Sequence, residues 1–263
     1  MKIYKAYAKV NIFLKITGTR GDFHEIISRF MLVENLYDEL SFVKKEQKDE
    51  FKIIGEFSCT TEQNTLYKAY KSLNSFINTN KLEKFMSNYA IKVEKSIPAF
   101  AGLGGGSSDA ATYIKMCNEV LDLGLTLDEL ATIGLKVGAD VPFFIYGYDS
   151  ANVAGIGEIV EEFKEELLDF EVYTPRIEIS TPKVYTTYRK DFFNPIDEKM
   201  TQKLKLTKSI DVLNTMSIDD VNDLYKPALQ EYKDLKKHYK KGFYFSGSGS
   251  SFFRIKDKGK YNG

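Results

Sequence analysis

Within Gly102-Leu103-Gly104-Gly105-Gly106-Ser107-Ser108, four glycines and two serines lead directly into Ala110, Ala111, Ile114, Met116, Cys117, Val120 and Leu121. The three-and-four spacing of that apolar set predicts a helix ending near Gly124, with Ser107 or Ser108 as its cap. The start of such a helix carries unpaired N–H groups and the positive end of the macrodipole. Glycines before it let an anion approach the backbone, so the stretch reads as a phosphate cradle. A turn that merely redirects the chain is the plainer reading, but three consecutive glycines are entropically costly for that task. The stretch is not a P-loop, because no Gly-Lys-Ser/Thr occurs in the chain, and it lacks the third glycine of the dinucleotide fingerprint. His-Arg-Asp and Asp-Phe-Gly of the protein kinases are absent as well.

The elements that must position this chemistry follow from hydrophobic periodicity. Val10, Ile12, Leu14 and Ile16 alternate with Asn11, Phe13, Lys15 and Thr17, which predicts a strand with one buried face. Lys9 and Asn11 project together from the other face, which the pattern alone reads as solvated. Gly21-Asp22-Phe23-His24 predicts a turn before the apolar segment 30–43, and a lone histidine in a turn ordinarily lies at the surface. Residues 44–50 read as a solvated hairpin loop before a short strand over 51–57. An amphipathic helix is expected over 64–77, and a strand through Ile91 and Val93 delivers the chain to the glycines. Thr126-Leu127-Asp128-Glu129 matches a capping box, so a helix should run to about Val137 and stop at Gly138. Asp140 is the only acid between Val137 and Tyr146, Pro142 argues against a central strand there, and a helix cap is the ordinary role for that aspartate.

Farther on, 151–160 reads as a strand, a turn at Gly155 and Gly157, and the crossing into a second domain. Residues 177–180 alternate as a strand, and Thr181-Pro182-Lys183-Val184-Tyr185 opens a helix with Pro182 suited to its first position. Further helical segments are expected over 208–215, 218–225 and 227–239. Phe243-Tyr244-Phe245 and Phe252-Phe253-Arg254-Ile255 flank Ser246-Gly247-Ser248-Gly249-Ser250-Ser251, which fits a hairpin turn or a ligand loop.

Composition bounds the function classes. The length of 263 residues suits one large or two medium domains, and 43% hydrophobic with 28% charged residues is ordinary for a soluble globular chain. Lys plus Arg equals Asp plus Glu at 37 each, so no global field recruits nucleic acid or an anionic membrane. Cys59 and Cys117 form no Cys-x-x-Cys pair and the chain has two histidines, which suits two reduced core cysteines rather than a zinc site or a disulfide scaffold. No secretory signal precedes the first strand and no apolar run approaches the roughly 18 residues of a membrane span, so a cytoplasmic protein is expected. Nothing in the pattern specifies an oligomeric state.

The segment Pro98-Ala99-Phe100-Ala101-Gly102-Leu103-Gly104-Gly105-Gly106-Ser107-Ser108, continued to Ala111, resembles the phosphate-binding motif of the GHMP kinases in its triple-glycine form. That superfamily contains galactokinase and the homoserine, mevalonate and phosphomevalonate kinases. Ala8-Lys9-Val10-Asn11, Gly138-Ala139-Asp140-Val141-Pro142 and Gly247-Ser248-Gly249-Ser250-Ser251 resemble its other motifs in order and spacing. The resemblance implies a two-domain α+β fold with the active site in the cleft between domains. It implies a nucleotide-phosphate-binding N-terminal domain over 1–155 and a C-terminal domain over 156–263, shortened at its end.

By the same resemblance, ATP is held by Pro98 to Ser108, with Mg²⁺ bridging phosphate oxygens through Ser108 and no dedicated carboxylate metal ligand. Lys9 and Asp140 are the implied catalytic pair: Asp140 accepts or orients the hydroxyl proton and Lys9 neutralises developing charge. In the triple-glycine branch the acceptor is a small-molecule diphosphocytidyl alcohol, which Asn11, Phe23, His24, Thr181, Pro182 and Tyr185 would bind. Phe23-His24 replaces the family's Tyr-His-type pair, keeping an aromatic face for a pyrimidine and losing the phenolic hydrogen bond. Tyr185 is a second stacking residue or an ordinary core aromatic. The alternatives are a GHMP kinase for mevalonate, homoserine or a sugar, which would leave the aromatics without a use, and a non-catalytic nucleotide-binding module, against which the retained Lys9 and Asp140 speak.

Overall fold

β1 (Tyr4–Arg20) and β2 (Phe23–Lys44) form a long antiparallel hairpin that turns at Gly21, whose φ of +59° glycine adopts without a Cβ penalty. The computed structural model describes residues 2–256, so the shortened edge expected after Ile255 falls almost wholly outside the described residues. β2 is the hub of a six-stranded sheet. One of its edges carries β1, and the other pairs first with β5 (Ser150–Gly155) and then with β4 (Tyr89–Glu94). β3 (Ile53–Ile54) adds in parallel to β4, and β6 (Ile159–Glu162) adds antiparallel to β5.

Against this sheet pack α1 (Thr65–Phe76), α2 (Lys81–Asn88), α3 (Gly105–Val120), α4 (Leu127–Leu135) and α5 (Val141–Tyr146), which share one apolar cluster with β4 and β5. The remainder holds a three-stranded sheet in the order β7 (Phe170–Tyr173), β9 (Phe252–Ile255), β8 (Tyr244–Phe245). Around it lie α6 (Thr181–Thr187), α7 (Glu198–Leu206), α8 (Ser209–Thr215), α9 (Ile218–Val221) and α10 (Tyr225–Glu231). Among the described residues no helix is long and apolar enough to cross a membrane.

Several expectations are corrected. β1 is buried on both faces: Lys9 and Asn11 are enclosed on the face expected to be solvated, and a bulge between Asn11 and Phe13 sends Phe13 into the same core as Val10 and Ile12. Neither serine caps α3: Gly104 does so in the left-handed conformation, and Ser107 and Ser108 lie in the first turn. The strand after residues 44–50 is only Ile53–Ile54, and it pairs with β4 rather than folding back on β2. The turn at 151–160 does not leave the sheet, since β6 pairs with β5 and the chain departs only after Glu162. No strand forms over 177–180; β7 supplies the edge of the small sheet instead. The segment 218–239 breaks into α9, α10 and a 3₁₀ turn, with Pro227 tolerated in the first turn of α10. His24 is buried as the second residue of β2, Cys117 is buried as expected, and Cys59 is exposed.

The capping box at Thr126 and Glu129 is present, α1 begins at its Asn64 cap, and α6 starts at Thr181 with Pro182 in its first turn.

Candidate active site

A cavity of about 1420 Å³ opens between the glycine-rich loop, the tip of the β1–β2 hairpin, the start of α5 and the start of α6. Every residue expected from the sequence to be catalytic, to hold ATP or to bind the acceptor lines it except Ser108, which is buried within α3.

The wall formed by the glycine-rich loop is made by main chain. The Ser108 N–H donates to the Gly104 carbonyl at 2.8 Å as the first rung of α3, so the N–H groups of Gly105, Gly106 and Ser107 have no helical acceptor. Gly102 and Gly104 both sit at φ +73°. A Cβ on Gly102 would lie 2.1 Å from the Ser246 carbonyl oxygen, and one on Gly104 would lie 2.9 Å from Phe144 Cζ and 3.2 Å from Lys9 Cε. These contacts show why the sequence has glycine there. The loop between β8 and β9 is a hairpin connection and also part of the cavity wall. Ser246 Oγ donates to the Gly102 carbonyl at 2.9 Å, the Ser251 N–H to the Ala101 carbonyl at 3.1 Å, and Gly247 and Ser248 face the cavity. Phe100, on the same wall, carries φ +52° with its side chain largely exposed.

Lys9 and Asp140 meet at this wall. The Lys9 ammonium stands 3.4 Å from Asp140 Oδ2, donates to Asn11 Oδ1 at 2.6 Å and to the Gly102 carbonyl at 3.3 Å, and lies 4.3 Å from the centre of the Phe30 ring. Asn11 is oriented by its second contact, Nδ2 donating to Ser28 Oγ at 2.9 Å, while that hydroxyl donates to the Phe13 carbonyl at 2.5 Å. Asp140 occupies the N-cap position of α5 without making a side-chain cap bond. Its carboxylate is turned to Lys9 and is one-third exposed into the cavity, whereas Lys9 is almost wholly enclosed. A carboxylate beside a buried ammonium and next to unpaired N–H groups can take a proton from a hydroxyl while the cation and the amides stabilise anionic oxygens.

The opposite end is built from side chains. Phe23 is exposed at the hairpin tip, and His24 is buried with Nε2 lacking a protein partner. The His24 ring lies 5.1 Å from Tyr185 at an interplanar angle of 34° and meets the edge of Tyr188 at 5.7 Å. Burial, aided by the Arg189 guanidinium, holds the imidazole below its usual range. Burial pushes the Tyr185 hydroxyl well above its own. Tyr185 is both a half-buried aromatic and a cavity wall, and Thr181 Oγ1 lies 2.7 Å from Ser248 Oγ.

Sequence reasoning missed two features of this cavity. Arg189, just past α6, lines it and donates to the Gly21 and Phe23 carbonyls at 3.2 and 3.4 Å. Lys95 and Asp109 line it as well and join the buried Asp38, and burial, opposed by Lys95 and reinforced by Asp38, pushes the Asp109 carboxyl up to about 7. One signal was available: strand alternation puts Asp38 on the same inward face as Leu40.

The model of the GHMP kinases N terminal domain matches residues 64–148. A 4-diphosphocytidyl-2-C-methyl-D-erythritol kinase of Sulfurimonas denitrificans is 66% identical over 98% of this chain and 98% of its own. The crystal structure of a 4-(cytidine 5'-diphospho)-2C-methyl-D-erythritol kinase superposes with a TM-score of 0.70 at 26% identity, over 97% of this chain and 90% of that one. The mevalonate kinase of Methanococcus jannaschii superposes with a TM-score of 0.59 at 17% identity over 97% and 90%, a likeness of fold.

Proposed function

The chain belongs to the 4-diphosphocytidyl-2-C-methyl-D-erythritol kinases of the GHMP superfamily, and from that premise we propose that it transfers the γ-phosphoryl group of ATP to the 2-hydroxyl of 4-diphosphocytidyl-2-C-methyl-D-erythritol. The observation that carries this reading is the Lys9–Asp140 pair at 3.4 Å, placed between a glycine-capped helix start and an aromatic-lined end of one cavity.

The N–H groups of Gly105, Gly106 and Ser107 bind the ATP phosphates at the positive end of α3. Asp140 accepts the proton of the acceptor hydroxyl as its oxygen bonds to the γ-phosphorus, the bridging P–O bond breaks, and ADP departs with the electron pair. Lys9, held by Asn11 and the Gly102 carbonyl, neutralises charge that develops on Asp140 and on the transferred group. Ser107 and Asp140, whose oxygens line this part of the cavity, would hold an Mg²⁺ ion bound with the nucleotide in place of the buried Ser108, and the ion would supply further charge neutralisation. Phe23 and Tyr185 stack on cytosine, the free Nε2 of His24 hydrogen-bonds its edge, and Thr181 and Pro182 close the acceptor side. We place the reaction in the cytoplasm and divide the chain into two domains, with the break moved from residue 155 to just past β6.

A panel of acceptors with ATP tests the reading. Turnover is expected with the diphosphocytidyl alcohol and not with mevalonate, homoserine or galactose. Comparable turnover with any of the three would overturn the acceptor assignment, and ATP binding with no turnover on any acceptor would leave a nucleotide-binding module.

A further inference from the structure

β2, the residues just after β4 and the first turns of α3 meet at a cluster that the transfer scheme does not use. Asp38 on β2 is wholly buried, Asp109 in α3 nearly so, and Lys95 reaches between them. Its ammonium donates to Asp38 Oδ2 and, at 2.7 Å, to Asp109 Oδ2. The other oxygen of Asp38 accepts the N–H groups of Ser96 and Ile97 at 2.6 and 2.8 Å.

These contacts sit at the two ends of the glycine-rich loop. Ser96 and Ile97 immediately precede Pro98, where the loop begins, and Asp109 follows Gly105-Gly106-Ser107-Ser108, where it passes into α3. The ends also touch: a Cβ on Gly105 would lie 2.8 Å from Ile97 Cγ2 and 3.7 Å from Asp38 Oδ2. Entry and exit of the loop are thereby both referred to one buried carboxylate on the central hairpin. Two carboxylates removed from water around one ammonium is a poor way to gain stability, since apolar replacements of similar volume are often as stable. Their value lies in directionality, because charged hydrogen bonds fix positions that apolar contacts leave adjustable.

We propose that Asp38, Lys95 and Asp109 are positioning residues for the nucleotide. They set the spacing between the two ends of the glycine-rich loop so that the N–H groups of Gly105, Gly106 and Ser107 converge on the phosphates. This rests on the reading of the loop as the ATP site.

Asp109→Ala removes the tie to α3 and leaves Asp38 bonded to Lys95 and to both N–H groups. Asp109→Asn keeps an oxygen for Lys95 at the same place. Steady-state kinetics in both substrates, with thermal midpoints as the control for folding, should show the ATP KM of Asp109→Ala raised about tenfold with kcat and the acceptor KM within about twofold. Asp109→Asn should return the ATP KM to within about threefold of wild type. If Asp109→Ala does not fold, Asp38→Asn gives the same reading, because it keeps an acceptor for the two N–H groups and sets an amide NH₂, which cannot accept, against Lys95. A folded variant with a wild-type ATP KM overturns the inference, as does a parallel rise in both KM values or a loss of kcat at unchanged KM. Wild-type enzyme that binds no ATP at all would overturn the kinase reading and this inference with it. Normal ATP binding by wild type together with an unchanged variant removes the inference alone.

Discussion

At the glycine-rich end of the cavity the groups proposed to bind phosphate are main-chain N–H groups, and Lys9 beside them is buried and held from behind by Asn11 and a carbonyl. At the opposite end the groups proposed to bind the acceptor are side chains: Phe23 and His24 from a hairpin tip, and Tyr185 from a helix much later in the chain. The first plan suits a ligand part that every nucleotide shares, for which fixed geometry matters more than choice. The second suits discrimination, because ring faces and a single unpartnered imidazole nitrogen can be varied without disturbing the backbone.

If the two ends are independent, substitutions should separate their kinetic signatures. The largest effect is expected at the phosphate end. Asp140→Asn keeps the shape but cannot take the proton, so kcat should fall by about 10² to 10⁴ with little change in either KM. Lys9→Ala should also lower kcat, and the double variant should lose less than the sum because the two act as a pair. A folded Asp140→Asn enzyme with near-normal turnover would remove the pair from the mechanism.

At the acceptor end, Tyr185→Ala should cost about 1 to 3 kcal/mol of acceptor binding and leave the ATP KM alone. Equal shifts in both KM values would erase the distinction between the ends. Gly104→Ala sharpens the distinction from the other side. The left-handed backbone at φ +73° costs an alanine about 1 to 2 kcal/mol, and its Cβ would press on Phe144 and Lys9. Calorimetric titration should show ATP affinity reduced and kinetics a lower kcat, with the acceptor KM as in wild type. The smallest effect is a gain. Phe100→Gly relieves a positive φ of +52° at an exposed ring, so the denaturant midpoint should rise by no more than about 1 kcal/mol equivalent. A lower midpoint would mean that the ring packs more than its exposure indicates.

The glycine-rich end of the cavity was legible because its residues lie in short contiguous runs. The glycines, Ala8-Lys9-Val10-Asn11 and Gly138 to Pro142 announce themselves by residue type, and the fold then brings Lys9 to Asp140. The helices with a cap signal and clear periodicity, α1 and α4, were equally readable. The Asp38–Lys95–Asp109 cluster was not, because only Asp38 carries a local signal, its place on the inward face with Leu40, while Lys95 and Asp109 resemble ordinary surface charges until three separate elements converge. The two-faced burial of β1 was hidden for a related reason: a one-residue bulge changes which side chains share a face, and local alternation cannot show a bulge. α2 and α7 escaped notice because they are short, eight and nine residues, and contribute only two and one buried side chains respectively.

The burial of β1 also has a consequence for how the protein comes off the ribosome. Ala8, Val10, Ile12 and Phe13 complete their core with Phe170, Leu204, Val212 and Phe253, which are translated long after them. At about 5 to 20 residues per second, the strand that carries Lys9 waits on the order of ten seconds or more for those partners. Contacts of such long sequence separation form late, so Asn11 and Gly102 meet Ser246 only once the loop from Ser246 to Ser251 has emerged. A nascent chain that lacks residues 246–251 therefore lacks the part of the cavity wall that they supply.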